Sequence, residues 1–198
     1  MARRTLHDEF FKRAKAEGYL ARSAYKLLEL NEKKRLIRTG ARVLDLGCAP
    51  GSWLQVCRKL VGSQGVVVGI DLQEIDHAFE PNVHVIQGDL TKIDPGQLLG
   101  ASGILFDCVV SDMAPPTSGH GDHFRSVHLC EAILDRLPAL LRSGGNLAMK
   151  VFEGESHQDL VKLTAGMFAE AKAYKPRASR GVSSETYIVG KGYKGAQA

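Results

Sequence analysis

Short apolar runs separated by amphipathic stretches organise the chain. Val43–Leu46, Val66–Asp71, Val83–Ile86, Ile104–Ser111, Asn146–Phe152 and Thr186–Val189 are runs of four to eight residues, several of them rich in β-branched positions. Runs of that length and composition predict buried strands. Helical spacing of apolar residues predicts helices over 7–17, 24–34, 53–60, 123–141 and 157–169. Gly18 should end the first helix and Ser23 should cap the second. Pro138 should kink or divide the long fourth one. A basic extended stretch is expected over 172–180. Strands that alternate with helices predict an open α/β sheet with helices on both faces. No repeat, low-complexity segment or linker interrupts the pattern, so residues 1–198 form one domain, opened by a basic helical segment over 1–40.

The first strand runs into Gly47-Cys48-Ala49-Pro50-Gly51-Ser52-Trp53. Strand, glycine turn and helix make the ligand crevice of a doubly wound sheet. Asp45, Gly47 and Gly51 are its candidate binding residues, with Ser52 as the expected helix cap. The spacing is not that of a dinucleotide fingerprint, because Ala49 stands where the second glycine is needed for close approach to a pyrophosphate. The loop suits a nucleoside ligand without phosphates, such as S-adenosylmethionine. Asp71 ends the second strand, where such sites place an acid for ribose hydroxyls. Asp89, after the third strand, can accept from an exocyclic amine.

Charge adds a second theme. The net charge is +4, but its distribution is uneven. Residues 1–42 carry 12 Lys/Arg against 5 Asp/Glu, or +7; residues 43–149 carry 6 against 12, or −6; residues 150–198 carry 8 against 5, or +3. Basic ends that fold to one side of the sheet would offer a positive face to the phosphates of a nucleic acid. The candidates are Arg3, Arg4, Lys12, Arg13, Lys15, Arg22, Lys33, Lys34 and Arg35 at one end, and Lys172, Lys175, Arg177 and Arg180 at the other. Four widely spaced cysteines argue for thiols in a reducing compartment, without a zinc site or a disulfide frame. Two loop histidines, His120 and His123, lack a third ligand, so no metal is expected. No apolar run can span a membrane, and the N-terminus lacks a signal core, so a cytoplasmic monomer is expected.

Three side chains are out of place for a purely structural sheet. Asp112 stands at the carboxyl end of the fourth strand, before Pro115-Pro116 forces the chain out of the sheet. Lys150 lies in an apolar strand, where an unpaired ammonium is costly. Glu185 immediately precedes the last strand and reaches the same edge only if that strand runs antiparallel. Lys26 sits near a helix start, against the macrodipole.

With these residues in view, the chain resembles the FtsJ/RrmJ (RlmE) family of ribosomal RNA ribose 2′-O-methyltransferases. The resemblance rests on Arg22-Ser23-Ala24-Tyr25-Lys26-Leu27, Asp45 to Trp53, Ser111-Asp112-Met113-Ala114-Pro115, Met149-Lys150-Val151-Phe152 and Ser183-Ser184-Glu185-Thr186-Tyr187, in the family's order. It implies a class I methyltransferase (Rossmann-like) fold, a seven-stranded mostly parallel sheet with an antiparallel last strand. It implies a catalytic tetrad at Lys26, Asp112, Lys150 and Glu185. It also implies S-adenosyl-L-methionine contacts at Gly51, Trp53, Asp71, Asp89 and Asp112, and as substrate a uridine in the A loop of large-subunit ribosomal RNA. Lys150 would accept the hydroxyl proton or position the hydroxyl; a free lysine is neutral only about once in 2500 at pH 7, so both roles stay open. Transfer RNA ribose methylation and a non-catalytic RNA-binding assembly factor are the competing readings. Base methylation and NAD-dependent dehydrogenation fit the loops less well.

Overall fold

The computed structural model describes residues 2–115, 121–179 and 183–195, with side chains from residue 9 onward. Its elements follow the order α1 (Ala2–Ala16), α2 (Ala24–Lys34), β1 (Arg42–Leu46), α3 (Ser52–Val61), β2 (Val66–Asp71), β3 (Val83–Gln87), α4 (Pro95–Ser102), β4 (Phe106–Ser111), α5 (Asp122–Leu140), β5 (Leu141–Phe152), α6 (His157–Met167), β6 (Phe168–Tyr174) and β7 (Glu185–Tyr193). One sheet takes the order β3-β2-β1-β4-β5-β7-β6. The first five strands are parallel. β7 inserts between β5 and β6 and runs antiparallel to both. This is the class I methyltransferase arrangement, and it puts the start of β7 beside the end of β5, with Glu185 opposite Phe152.

Alternation along each strand explains how both faces are buried. Leu44 and Leu46 of β1 and Val109 of β4 face one layer, where Ile133, Leu134 and Leu137 of α5 and Leu98 of α4 cover them. Val43, Cys108 and Val110 face the other, under Leu27 and Leu30 of α2 and Leu54, Val56 and Val61 of α3. A parallel sheet needs this cover on both sides. α1 joins through a smaller cluster, in which Phe10 and Ala14 pack with Tyr25 and Ala178. All four cysteines are free and buried. Among the described residues no helix is long and apolar enough to cross a membrane. None of their His, Cys, Asp and Glu side chains form a group that could hold a metal ion.

The structure departs from the sequence expectations in several places, and α4 matches no expected helix. Gly51, not Ser52, holds the N-cap position of α3, with a left-handed φ of 108°. Ser23 makes no side-chain cap at α2; its hydroxyl meets that of Ser52 at 2.8 Å. Pro138 does not divide α5, which continues past it to Leu140. Helix α6 stops at Met167, so residues 168 and 169 begin the edge strand β6, which runs to Tyr174 and includes the start of the expected extended stretch.

Candidate active site

Four charged side chains meet beyond the carboxyl edge of the sheet. Lys150 comes from β5, Asp112 from the residue after β4, Glu185 from the first position of β7 and Lys26 from the first turn of α2. Lys150 Nζ lies 3.0 Å from Asp112 Oδ1 and 3.7 Å from a Glu185 carboxylate oxygen. It also donates to the Asp112 carbonyl at 2.5 Å. Lys26 Nζ lies 3.2 Å from Glu185 and 3.7 Å from Asp112. The two lysines are 7% and 8% exposed, so the pairs alternate in sign in a largely dry setting. Burial of a lone ammonium would be costly; two acids offset two lysines here. All four residues singled out from the sequence therefore converge.

Tyr187 completes the floor of this cluster, and sequence reasoning had given it no role of its own. Its hydroxyl donates to Asp112 Oδ1 at 2.5 Å. Burial, then the charge and hydrogen bond of Asp112, push its phenol well above the usual value and keep it a donor. The Tyr187 ring stacks on Trp53 at 5.8 Å, and Lys26 Nζ stands 5.9 Å from its centroid. The period-two alternation of β7 puts Tyr187 on the same face as Glu185 and was the available signal.

The glycine loop lies at the same edge. At Gly47, with a left-handed φ of 74°, a side chain would collide with Met113. At Gly51 a Cβ would come within 2.7 Å of Phe79 and 3.0 Å of Leu20. Asp71 holds the loop, accepting from the Ala49 amide and the Gln73 amide, each at 2.9 Å. Asp89 accepts from the Thr91 amide at 2.9 Å and the Thr91 hydroxyl at 2.7 Å. Those bonds, the Thr91 hydroxyl's foremost, hold its carboxyl below the ordinary value. Asp45 is fully buried, and neither carboxylate oxygen meets a donor among the described residues. Burial, then Asp112 and Asp71, push its carboxyl well up. Trp53 is 2% exposed, and its indole N–H donates to the Ser23 carbonyl at 2.9 Å. The first backbone amides of α3 have no intrahelical acceptor.

The basic residues fall into two groups. Lys12, Arg13, Lys15, Lys33, Arg35, Lys172, Lys175 and Arg177 are exposed. Arg22 is half-buried and donates to the Ala178 carbonyl at 2.7 Å, so it ties α2 to the segment after β6. Lys34 stands over the Tyr174 ring. Several exposed members also have local partners: Arg13 with Glu17, Lys33 with Glu32, and Lys172 with Glu170. Glu29 accepts from the Tyr174 hydroxyl and the Arg177 amide, both at 2.8 Å, and so brings the second basic stretch against α2. Arg180 and the side chains of Arg3 and Arg4 lie outside the described residues.

The antiparallel β7, the glycine loop and the charged cluster at one edge define a methyltransferase of the class I fold. Residues 19–193 match the family model described as FtsJ-like methyltransferase. The chain belongs to the FtsJ-like methyltransferase family. It is 43% identical over 188 residues to the ribosomal RNA large subunit methyltransferase E of Syntrophobacter fumaroxidans, covering 94% of this chain and 95% of that one. It is 46% identical over 187 residues to the protein of the same name from Methanothrix thermoacetophila, covering 93% and 72%. A crystal structure of a ribosomal RNA methyltransferase from Plasmodium falciparum superposes with a TM-score of 0.78 at 30% identity, over 90% of this chain and 100% of that one.

Proposed function

We propose that the chain methylates the ribose 2′-hydroxyl of a uridine in the A loop of large-subunit ribosomal RNA, with S-adenosyl-L-methionine as donor and the assembled subunit as substrate. The convergence of Lys26, Asp112, Lys150 and Glu185 in one cluster carries the reading. The relatives' shared name supports large-subunit ribosomal RNA, and the family resemblance points to the uridine and its hydroxyl.

The residues present fit that donor. When bound, S-adenosylmethionine supplies an electrophilic methyl on a sulfonium centre. Asp71, Asp89 and Asp112 form an acidic rim at or beyond the carboxyl ends of β2, β3 and β4, which suits a ligand that carries a sulfonium and an ammonium. The orphaned Asp45 carboxyl has unused hydrogen-bonding capacity beneath the glycine loop. Asp71 and Asp89 are already oriented by backbone amides, with acceptor capacity left for hydroxyl or amine donors. Gly47, Gly51 and Trp53 shape the loop.

Methylation of a hydroxyl asks the protein to align the oxygen, exclude water and let a proton leave. Asp112 fixes Lys150 from two sides, through its carboxylate and its carbonyl. As an ammonium, Lys150 donates to the 2′-hydroxyl and orients it; only in its neutral amine form does it take up the hydroxyl proton. Glu185 and Lys26 hold the far side of the ribose and keep the cluster balanced in charge. Exposed Lys and Arg of α1, α2 and the 172–177 stretch supply phosphate contacts, which give affinity and salt dependence without sequence choice. The test is methyl transfer from labelled donor to undermethylated large subunits, free ribosomal RNA and transfer RNA side by side. Label in the subunit supports the reading; label only in transfer RNA moves the substrate, and none at all points to a binding role.

A further inference from the structure

Trp53 sits between the glycine loop and both halves of the tetrad. It is the second residue of α3, and its indole N–H donates to the carbonyl of Ser23, which precedes Lys26 by about one helical turn. Its ring stacks on Tyr187 with 26° between planes. The Tyr187 hydroxyl bonds Asp112, which in turn grips Lys150. One buried side chain thus touches the support of Lys26 on one side and the support of Asp112 on the other. The neighbouring residues of α3 reinforce the first contact. Ser52 meets the Ser23 hydroxyl at 2.8 Å, and Gln55 accepts from the Leu20 amide at 2.9 Å and donates to the Gly18 carbonyl at 3.0 Å.

We infer that the Trp53 side chain is a positioning residue for the tetrad: it sets the separation of Lys26 from Asp112, while only its backbone is left for the methyl donor. This rests on the proposed methyl-transfer reading for its kinetic consequence, but its structural consequence stands apart from it. An indole that is 2% exposed, with its only N–H already bound to Ser23, has no polar atom left to offer a ligand. The side chain instead fixes the 3.7 Å between Lys26 Nζ and Asp112 Oδ1, the longer of the two Asp112–lysine contacts.

The test uses Trp53→Phe, which keeps an aromatic ring over Tyr187 but removes the donor to Ser23. Three readouts are taken. In a crystal structure of the variant without ligand, the Lys26 to Asp112 separation should open beyond its 3.7 Å. In kinetics, kcat at saturating donor should fall by about 10–100-fold, because displacement of a positioned group by about 1 Å has costs of that order. The dissociation constant for S-adenosylmethionine, from calorimetry, should stay within about twofold of wild type. An unchanged separation with unchanged kcat overturns the inference. So does a donor affinity weakened about tenfold with kcat intact, which would make the side chain a donor contact. Should Trp53→Phe fail to fold, Tyr187→Phe removes the hydroxyl bond to Asp112 at almost constant volume. A loss of kcat without loss of donor affinity is expected there, and full kcat counts against the chain of contacts. If wild type itself methylates no RNA, the functional reading fails, and the crystallographic separation still decides the inference.

Discussion

β4 carries a carboxylate at each end, and the two are built for different work. Asp107, near its start, accepts from the Arg42 amide at 2.9 Å, Arg142 Nε at 2.7 Å and Arg38 Nη2 at 3.0 Å. Burial works against its ionisation, yet the Arg42 amide and the two guanidiniums outweigh it and hold the carboxyl below its usual value. Asp112, just past the other end, faces two lysines, a second carboxylate and a phenol. One N–H from each of two guanidiniums and a backbone amide satisfy Asp107 within the fold; the ammonium groups around Asp112 stand at an edge where their contacts can be exchanged for a substrate. Exchangeable charge at the carboxyl edge, where ligands enter an α/β sheet, makes that end the candidate site.

The largest effect that would break this contrast is at Lys150. Lys150→Ala should lower methyl transfer by about 10²–10⁴-fold, the range a positioned proton-transfer group contributes. Donor affinity should remain nearly intact, as read by calorimetry beside the labelled assay. Full activity in that variant would remove Lys150 from the mechanism.

Asp107→Asn should do the reverse. Loss of the charge leaves two guanidiniums and a backbone amide less well paired, at a cost of about 1–3 kcal/mol in denaturant unfolding, with activity per folded molecule unchanged. The contribution also has a pH signature. A carboxyl held low in the folded state adds stability above the unfolded pKa of about 3.9 and loses it as pH falls through the folded value. Wild type should therefore lose stability more steeply than Asp107→Asn below about pH 4.

Charge on the outer surface should matter less and more generally. Reversal of Lys12 and Lys15 to Glu should weaken RNA binding and reduce the salt slope of log K by about 2, without change in kcat at saturating RNA. A slope equal to wild type would take α1 out of the RNA surface.

The last contrast concerns Asp45, whose sign is opposite to that of Asp107. Its carboxyl is pushed up by burial, so ionisation above about pH 4 opposes folding. Asp45→Asn should be the more stable protein at neutral pH, with the gap closing in acid, and it should bind the donor less well. Equal stability at both pH values would mean that a partner neutralises Asp45.

Much of this was legible in the chain because its signals were strong where the sheet is buried. Val66–Asp71 and Phe106–Ser111 are buried on both faces and mostly apolar, and such runs stand out without alignment. Lys150 and Asp112 were legible because they lie in or end apolar runs; Lys26 and Glu185 joined them as a tetrad only through the family resemblance. β6 was not, because it is an edge strand in which only Phe168 is fully buried, so no alternation survives. α4 was missed because it has eight residues and two glycines, with Leu98 and Ser102 alone buried. The supports of the site were invisible for another reason. Tyr187 on Trp53 and Arg22 on Ala178 join positions separated by more than 100 residues, and only the fold makes them neighbours.

The central claim is that the cluster at the end of β4 methylates a ribose oxygen. The most direct measurement digests labelled, undermethylated large subunits to nucleosides after reaction with the protein and labelled S-adenosylmethionine. The account predicts label in 2′-O-methyluridine alone. Label on a methylated base would contradict it, because the lysine–carboxylate cluster would then be serving a different acceptor atom.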